Sequence, residues 1–571
     1  MIRKVTPEDA DLGEDDELLD FPAARDPSPT PVLPSPARGA AIDPLLADYA
    51  SPPGPHPPSP PAHLSSNQRP LPARPPQSSS TVTTYLRHLK TTPLGDAIVH
   101  EETIAPLPER LAGNIDHLGP DVRRVMDAAG IPNLWTHQEE ALRHIRAGRN
   151  VVLATPTASG KTLVYNAAVL SSLIQDPGGH ALYIFPLKAL EQDQLDELRS
   201  VLRNLGHVAD GALPPLTVDV YDGDTKSHLR QKIKEHPPNI LISTPDMLHA
   251  GILAFHEAWE GFFKHLKYVV IDELHTYSGI FGSHILHVLR RLNRICAACG
   301  SRPQFITCSA TIGNPQELAG KLFNRDFVAV TDSGAPTAPR HFVFLNPAES
   351  PNTVAARLLQ TSVAQQLRTI VFTRARVITE LIYRWATQSR PELRDLISSY
   401  RAGYMPEERR QIEASLLSGD LLGVVSTSAL ELGIDIGGLD VCVLVGYPGS
   451  IVNTWQRAGR VGRSGREALV LLIASRDALD QFFMNHPGQF FERHIENAVV
   501  DPTNKYIVKS HMVCAAREIP LTLDEPEYDI PGWQTALEEL TAEGEILQSA
   551  DGDTFFAARK QPHRLVNMRT I

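Results

Sequence analysis

Short apolar runs alternate with stretches of helical spacing between Asn150 and Thr311. The runs are continuous rather than alternating in polarity, which is typical of parallel strands buried on both faces. Six runs are predicted to be strands: Val151–Thr155, Ala181–Pro186, Leu216–Tyr221, Asn239–Thr244, Tyr268–Asp272 and Gln304–Ser309. The pattern predicts an α/β domain with a doubly wound parallel sheet.

A second set of runs follows a break near Ser333-Gly334-Ala335-Pro336. Its predicted strands are Thr369–Thr373, Leu422–Ser426, Val441–Val445 and Ala468–Ile473. The predicted fold class is therefore α/β, with two tandem doubly wound parallel-sheet lobes at 81–335 and 336–478.

The two ends of the chain have other patterns. Residues 1–80 hold 19 of the 47 prolines and an acidic cluster, so we predict a disordered proline-rich tail. Residues 479–571 read as helices, then as a hairpin around Asp551-Gly552. This module is either a winged helix or a plain helical cap with a terminal hairpin.

Composition narrows the class of protein. A hydrophobic content of 42% with 21% charged residues is ordinary for a soluble domain, and no apolar run is long enough to span a membrane. Five cysteines without a framework spacing indicate a reducing compartment. We predict a structural role for the Cys296 and Cys299 pair, which lacks a second CxxC. The net charge of −12 means that any nucleic-acid site must be a local groove.

The first strand runs into a turn rich in Thr, Ser and Gly, and a helical pattern begins directly afterwards. The turn ends in the GK[ST] sequence of a phosphate-binding loop, in which Lys161 reaches the β/γ-phosphates and the Thr162 hydroxyl binds Mg²⁺. Thr155 replaces the first glycine of the usual pattern, so a plain polar turn is the alternative for this stretch alone. The residues predicted to surround the phosphates are Thr157, Ala158, Ser159, Gly160, Lys161 and Thr162.

A later strand delivers two adjacent carboxylates, Asp272 and Glu273, at its C-terminal end, where ligands of open α/β sheets bind. Asp272 is predicted to hold the Mg²⁺ of Mg-ATP, and Glu273 to orient or deprotonate the attacking water. An isolated Asp-Glu pair is usually only a polar strand end. Because this pair follows the GKT loop in the same lobe, we predict a site for ATP and Mg²⁺.

From Gln138 to about Ser475 the chain resembles the superfamily 2 DEAD/DEAH-box helicases, whose motifs occur here in the family order. The resemblance implies two RecA-like lobes and an adenine-reading role for Gln138. It implies that the nucleic-acid contacts are Pro186, Lys188, Thr244, Arg374 and Thr427. It implies that the residues coupling hydrolysis to movement are His275, Ser309, Thr311 and Gln456. The resemblance also implies that Gly433 and Asp435 belong to the nucleotide site.

The run Gln456–Arg463 (QRAGRVGR) matches motif VI of that family. Charge develops on the γ-phosphate oxygens during phosphoryl transfer, and a guanidinium from a second lobe can stabilise it only when the lobes close. Arg460 and Arg463 are therefore the candidate arginine fingers.

A narrower resemblance is to the DNA helicases that include mitomycin repair factor A and its yeast RecQ4-like relatives. It is carried by Ala154–Thr162 (ATPTASGKT), Asp272–Tyr277 (DELHTY), Gly403–Arg410 (GYMPEERR) and Asp501–Asn504 (DPTN) followed by His511. It implies 3′-to-5′ translocation on DNA and a role in repair. These relatives continue into a domain with four zinc-binding cysteines. This chain stops at Ile571 without it, so we expect weaker substrate engagement and unwinding.

The leading hypothesis is an ATP-dependent DNA helicase or translocase, with ATP and Mg²⁺ as cofactors. The alternatives are an RNA helicase, since the backbone-contacting motifs do not tell deoxyribose from ribose, and an ATP-switched clamp that does not unwind. The expected partner is single-stranded or tailed duplex DNA, and no membrane is expected. The expected location is the cytoplasm with its nucleoid, or the nucleus in a eukaryote, and not the secreted fraction.

Overall fold

The computed structural model describes residues 81–208, 215–431, 433, 436–462, 465–493, 495–528 and 530–570. The tail predicted at 1–80 lies outside these residues, as do Asp435 and Arg463. Along the described chain, no helix has both the length and the apolar character needed to cross a membrane.

The strands, in chain order, are β1 (Ile98–Ile104), β2 (Asn150–Ala154), β3 (His180–Ile184), β4 (Val218–Val220), β5 (Ile240–Ser243), β6 (Leu266–Ile271), β7 (Gln304–Ser309), β8 (Phe327–Val330), β9 (Arg340–Leu345), β10 (Thr369–Phe372), β11 (Ile397–Tyr400), β12 (Gly423–Ser426), β13 (Val441–Val445), β14 (Ala468–Ile473), β15 (Leu521–Thr522), β16 (Ile546–Gln548) and β17 (Thr554–Ala557).

The α-helices are α1 (Val82–Lys90), α2 (Pro120–Ala128), α3 (Thr136–Arg146), α4 (Lys161–Gln175), α5 (Lys188–Val208), α6 (Ser227–Glu235), α7 (Pro245–Met247), α8 (Glu260–Lys264), α9 (Gly279–Ala298), α10 (Pro315–Phe323), α11 (Pro351–Ala364), α12 (Arg376–Ser389), α13 (Pro406–Ser418), α14 (Ile451–Ala458), α15 (Ala478–Asn485), α16 (Gly488–Glu492), α17 (Lys505–Glu518) and α18 (Trp533–Ala542).

The first lobe is built on a parallel sheet with the strand order β4-β5-β3-β6-β7-β2-β8. Both faces of this sheet are covered, because Val151 and Leu153 of β2 pack into one apolar cluster and Val152 between them packs into another. This two-sided burial explains the continuous apolar runs of the sequence. The α/β prediction for this lobe is confirmed, and β8 is an edge strand that the pattern did not predict.

The second lobe has the strand order β1-β9-β14-β13-β10-β12-β11, which is parallel except for the antiparallel pair β1 and β9. Its sheet is also buried on both faces, since Ile370 and Phe372 pack on one side and Val371 on the other. The prediction of two tandem α/β lobes is confirmed.

The structure corrects the position of residues 82–104, which the sequence analysis placed in the first lobe. Strand β1 pairs with β9 of the second sheet, and the Tyr85 hydroxyl of α1 shares a hydrogen bond of 2.8 Å with Thr361 of α11. The apolar face of α1 packs into the second lobe's core. Strand β1 (IVHEETI) is half exposed at a sheet edge, so no apolar run marks it in the sequence.

Residues after the second lobe divide into two groups. Helices α15 and α16 pack on the second lobe, where Phe490 lies 5.2 Å from Phe342 and Phe483 lies 4.8 Å from Tyr447, between ring centroids. Helices α17 and α18 instead pack on a small antiparallel sheet of order β15-β17-β16. The predicted hairpin is β16 and β17.

A buried polar network joins α9 of the first lobe to α17. Arg291 forms an ion pair with Glu518, and both side chains are buried. The Arg291 guanidinium also donates to Nδ1 of His249 at 2.8 Å and to Nδ1 of His511 at 3.2 Å. Nε2 of His563 donates to Glu518 at 2.9 Å. A guanidinium is only a donor, so both imidazoles that it contacts must be unprotonated at Nδ1.

The remaining bonds fix the same tautomer along the network. Nε2 of His511 donates to Nδ1 of His284 at 3.0 Å, and Nε2 of His284 donates to the carbonyl of Thr570 at 3.0 Å. His249 likewise donates from Nε2 to the carbonyl of His563 at 3.0 Å. These bonds require His249, His284 and His511 to be neutral, and burial lowers the pKa of each of them and of His563.

We expect acid to weaken this interface. Burial lowers the pKa of His287, which stacks on His511, to about 3, so the folded protein binds fewer protons than the unfolded chain below pH 6.5. His287 then costs about 1.4 kcal/mol of unfolding free energy per pH unit between that value and its lowered pKa. The melting temperature should fall between pH 7 and pH 5.

The His287→Phe variant keeps a buried ring and should lose part of this pH dependence, whereas His117→Gln at an exposed site should keep all of it. An unchanged acid response in His287→Phe would exclude this histidine as a source of the pH dependence.

Candidate nucleotide and nucleic-acid site

The predicted phosphate loop joins β2 to α4. Its backbone is left-handed at Ala158, with φ of +62°, and at Gly160, with φ of +65°. Lys161 donates from Nζ to the carbonyl oxygens of Thr155 and Pro156 at 2.9 and 3.0 Å. The lysine thus spans the mouth of the loop, where an anion can replace these two carbonyls. Thr155 stands where the usual pattern has glycine, and its hydroxyl bonds Ser159 Oγ at 2.7 Å.

The two predicted carboxylates follow β6, at the edge of the sheet where the phosphate loop also lies. Asp272 Oδ1 accepts the backbone N–H of Glu273 at 2.7 Å, and Glu273 has a φ of +51°. Such a conformation costs a non-glycine residue on the order of 1–3 kcal/mol. Burial, helped by the charge of Glu273, raises the pKa of Asp272 to about 7.

Tyr165, which the sequence analysis missed, lies between the metal-binding candidates. Its hydroxyl is 3.4 Å from Asp272 Oδ2 and donates to Gln194 at 3.0 Å. Burial raises its pKa well above the usual value, the charge of Asp272 adds to this, and a hydrogen bond with Thr162 opposes it. Carboxylate and hydroxyl oxygens are ligands that Mg²⁺ prefers, and a cation would relieve the desolvated Asp272. The site therefore fits Mg²⁺.

His275 of the DELH box connects the two lobes. Its Nδ1 accepts the backbone N–H of Ala310 at 3.1 Å and lies 3.4 Å from Ser309 Oγ. Its Nε2 therefore carries the proton and lies against the side-chain amide of Gln456 in the second lobe, which accepts it when the amide oxygen rather than the nitrogen faces the imidazole. Burial lowers the pKa of His275, which favours this neutral form. Three of the four predicted coupling residues meet here, and Thr311, half-buried, follows two residues after Ser309.

Two glycines of the second lobe lie against the first lobe. A Cβ at Gly459 would collide with Thr157 Oγ1 of the phosphate loop. A Cβ at Gly433 would lie 2.6 Å from Leu190 and 3.5 Å from Glu273 Oε1. Gly433 was predicted at the nucleotide site, but Gly459 was not, although its place within motif VI is a usable signal. The lobes are thus in contact across the predicted site.

The candidate fingers differ in what the structure describes. Arg460 is 2% exposed and lies near enough to Glu431 for their charges to interact, and the Glu431 carboxylate accepts from Arg457 Nε at 3.0 Å. Burial raises the pKa of Glu431, and the two arginines oppose that shift. Arg463 lies outside the described residues.

Gln138, the predicted adenine reader, lies in the first turn of α3 and is buried. Its Oε1 accepts the N–H of Trp135 at 2.9 Å, and its Nε2 donates to the carbonyl of Gly160 at 3.0 Å. It therefore holds the phosphate loop directly. The neighbouring His137, which the sequence analysis missed, bonds the carbonyl of Ser159 at 2.9 Å.

A cleft of about 630 Å³ opens between the lobes beside this site. Lys188 and Leu187 line it from the first lobe, and Thr427, Ser428 and Arg409 line it from the second. His275 and Gln456 form part of its wall. The structure therefore brings together the predicted nucleic-acid residues Lys188 and Thr427 and the interlobe hydrogen bond. Lys188 also contacts Asp224 at 2.7 Å in an exposed ion pair, which is easily exchanged for a phosphate.

Three other predicted nucleic-acid residues do not line this cleft. Pro186 is buried, and Thr244 is a buried N-cap whose Oγ1 accepts the N–H of Met247 at 3.3 Å. Arg374 donates to Asp477 at 2.7 Å and to Asp480 at 3.0 Å. Its charge is thus already matched by two carboxylates, which a phosphate would have to displace.

Comparison with known proteins agrees with this geometry. Residues 135–318 match the DEAD/DEAH box helicase family, and residues 352–465 match the helicase conserved C-terminal domain. Residues 500–571 match the winged helix domain of the ATP-dependent helicase HRQ1. The last match, together with the small antiparallel sheet and its two helices, shows that this module is a winged helix rather than a plain helical cap.

Individual relatives are similar over most of this chain. It is 44% identical to the uncharacterized ATP-dependent helicase YprA of Bacillus subtilis (strain 168), over 74% of this chain and 56% of that protein. It is 35% identical to the ATP-dependent helicase HRQ1 of Saccharomyces cerevisiae, over 78% of this chain and 42% of that protein. The chain spans about half the length of the curated relatives it matches.

A crystal structure of the DUF1998 helicase MrfA bound to DNA and AMPPNP has a TM-score of 0.80 and 40% identity, covering 86% of this chain and 68% of that one. Two RecA-like lobes with these motifs define a superfamily 2 helicase core of the DEAD/DEAH-box type. Within that class, the chain belongs to the family of helicases that includes MrfA and HRQ1.

The close approach at Gly459 predicts a steric effect on ATP turnover. Gly459→Ala should lower turnover about tenfold, because overpacking by one carbon typically costs ~1–3 kcal/mol and here opposes contact between the lobes. Thr157→Ala in the same chain should restore part of the rate, since the colliding oxygen is removed. Steady-state ATPase assays measure both effects.

Gly206→Ala, at a position with open space, is the matched control. A normal rate in Gly459→Ala would mean that the lobes do not need this contact during turnover.

Proposed function

We propose that this chain is an ATP-hydrolysing DNA helicase or translocase whose two lobes close on ATP and move along one DNA strand. The observation that supports this most directly is the shared position of the cleft and the nucleotide site. The hydrogen bond between His275 and Gln456 lies in the cleft wall and also next to Glu273, whose Oε2 is 3.6 Å from His275 Nδ1. A change in the cleft that alters this hydrogen bond therefore also affects the nucleotide site, and a change at the nucleotide site affects the cleft.

Each residue has a definite task in this mechanism. Lys161 leaves its two carbonyl partners to bind the β/γ-phosphates, and the N–H groups of the loop orient them. Thr162 and Asp272 would hold Mg²⁺, which would supply positive charge against the phosphates. Glu273 orients the attacking water and takes its proton. Arg460 or Arg463 supplies a guanidinium from the second lobe when the lobes close.

Coupling to DNA follows from the same contacts. A phosphate backbone in the cleft would pair with Lys188 in place of Asp224, and it would lie against the hydroxyl groups of Thr427 and Ser428. This would hold the two lobes together and favour the bond between His275 and Gln456. Nucleic acid is therefore expected to accelerate hydrolysis.

The choice of DNA, the polarity and the cellular role rest on similarity to relatives. MrfA was crystallised with DNA and AMPPNP, and it is the basis for proposing DNA as the partner. A 3′-to-5′ polarity and a role in repair are proposed from the family resemblance, and a location at the nucleoid or in the nucleus follows from the proposed substrate. An RNA helicase and a clamp that does not unwind are alternative outcomes of the experiments below.

The Glu273→Gln variant should bind ATP and DNA with nearly normal affinity but lose at least about 10²-fold in turnover, the usual size of a general-base contribution. Asp272 is left in place to hold the metal. Nucleotide-binding titrations and ATPase assays measure the two quantities separately. Glu235→Gln, at an exposed position of α6, is the control. Equal losses of affinity and turnover would assign Glu273 a structural role.

Single-stranded DNA should raise ATP turnover more than RNA of the same sequence and length. Arg463→Ala should reduce the DNA-stimulated rate on the order of 10³-fold if this residue is the finger, with nucleotide affinity retained. Arg466→Ala is the nearby control.

Stronger stimulation by RNA would favour the RNA helicase. Stimulation without displacement of a paired strand would favour the clamp. A small effect of Arg463→Ala would transfer the finger role to Arg460.

A further inference from the structure

In the part of the chain that the structure describes, two of the passages between the lobes are hydrogen-bonded to each other. The first passage follows β1, and the second is the linker between β8 and β9. Leu107 and Thr337 exchange backbone hydrogen bonds of 3.2 and 3.0 Å, and Arg110 N–H donates to the carbonyl of Gly334 at 2.9 Å. We call residues 105–112 and 331–339 the hinge. It is a short antiparallel pair of passages rather than a single flexible linker.

The hinge is fixed to the start of α3. The carbonyl of Arg110 accepts the N–H of Thr136 at 3.0 Å, and the N–H of Gly334 donates to Nδ1 of His137 at 3.1 Å. Gly334 is buried there, and a Cβ would lie 2.8 Å from the carbonyl oxygen of Arg110 and 3.0 Å from the nitrogen of Thr136. Glycine is thus required by the close approach of three backbone segments.

His137 has a different partner on each ring nitrogen. Because Nδ1 accepts from Gly334, Nε2 must carry the proton, and it donates to the carbonyl of Ser159 in the phosphate loop at 2.9 Å. The side chain is fully buried and stacks on Trp135 at 6.0 Å.

The charges around His137 also favour its neutral form. Burial is the main reason that its pKa is lowered, and the positive charges of Lys161 and Arg110 act in the same direction. The hydrogen bond to Ser159 and the charge of Asp332 act in the opposite direction. A proton added at Nδ1 would break the bond to the hinge.

The bond to Ser159 controls the direction of a phosphate-binding group. In a trans peptide the carbonyl and the following N–H point in opposite directions. With the carbonyl of Ser159 directed at His137, the N–H of Gly160 is directed away from α3. The loop must present its N–H groups in this way to bind a phosphate.

We propose that His137 is a positioning residue that links the hinge between the lobes to the phosphate loop. Its Nδ1 is bonded to the linker at Gly334 and therefore responds to the linker's position. Its Nε2 sets the orientation of the peptide plane between Ser159 and Gly160. Movement of the lobes and affinity for nucleotide are thereby coupled through one imidazole. This rests on the proposed function in so far as the loop binds ATP.

Two variants separate the two bonds. His137→Asn places its amide near the position of Nδ1, so it can keep the Gly334 bond and lose the Ser159 bond. His137→Gln reaches the position of Nε2, so it can keep the Ser159 bond and lose the Gly334 bond. Nucleotide affinity by fluorescent-ATP titration, the ATPase rates with and without single-stranded DNA, and the melting temperature are measured for each.

We expect His137→Asn to weaken nucleotide binding about tenfold, which is the value of one buried hydrogen bond. DNA should still stimulate the ATPase rate of this variant by the wild-type factor. His137→Gln should keep nucleotide affinity within about twofold, but its stimulation by DNA should fall about tenfold. Arg110→Ala removes exposed hinge contacts to Asp332 and Ser333 and should resemble His137→Gln in a milder form.

Equal changes of affinity and stimulation in both variants would overturn the proposal, as would wild-type behaviour in both at an unchanged melting temperature. If the His137 variants fold poorly, normal stimulation by DNA in Arg110→Ala would still count against it. Failure of the proposed function is a distinct result, because the wild-type protein itself would then show no stimulation by DNA, while the affinity of His137→Asn would still test the link to the loop.

Discussion

The contact between the two lobes across the phosphate loop is the constraint on which the site depends. A loop on one sheet can bind a phosphate, but charge that develops during transfer needs a group from another body. Here Gly459 lies against Thr157, and Gln456 bonds His275, so no large side chain can separate the lobes at that point. The same contact places Glu273 and Leu190 against Gly433. Gly433 and Gly459 are therefore required because the two lobes approach closely there, and not because of their local backbone conformation.

Two buried polar regions of the molecule use opposite electrostatic arrangements. Around Asp272 and Glu273, two carboxyl groups lie next to a lysine. Burial raises the pKa of Asp272, so a bound cation would stabilise its charged form. Between α9 and α17, by contrast, Arg291 and Glu518 neutralise each other and the surrounding histidines are neutral. The first arrangement is suited to a ligand that arrives and leaves. The second joins the winged helix to the first lobe without an exchangeable charge.

The crossing of the chain between the lobes also bears on motion. Because α1 and β1 belong to the second lobe, the polypeptide enters the first lobe and leaves it through neighbouring hydrogen-bonded passages. Such a pair restricts the directions in which one lobe can move relative to the other more than a single linker would. The helix that carries Gln138 begins at this pair, so the nucleotide loop and the hinge share a support.

The sequence by itself determined the lobes and the chemistry of their strand ends. Parallel strands buried on both faces must be apolar throughout, and the residues that follow β2 and β6 are identified by their type and spacing, as with Lys161 and Asp272. Tertiary structure alone decided which lobe holds β1, because an exposed edge strand carries no apolar pattern. It alone decided that His137 bonds Ser159 and Gly334, since these three residues are far apart along the chain. Periodicity records which face of an element is buried, but hydrogen-bond partners are set by how separate elements pack.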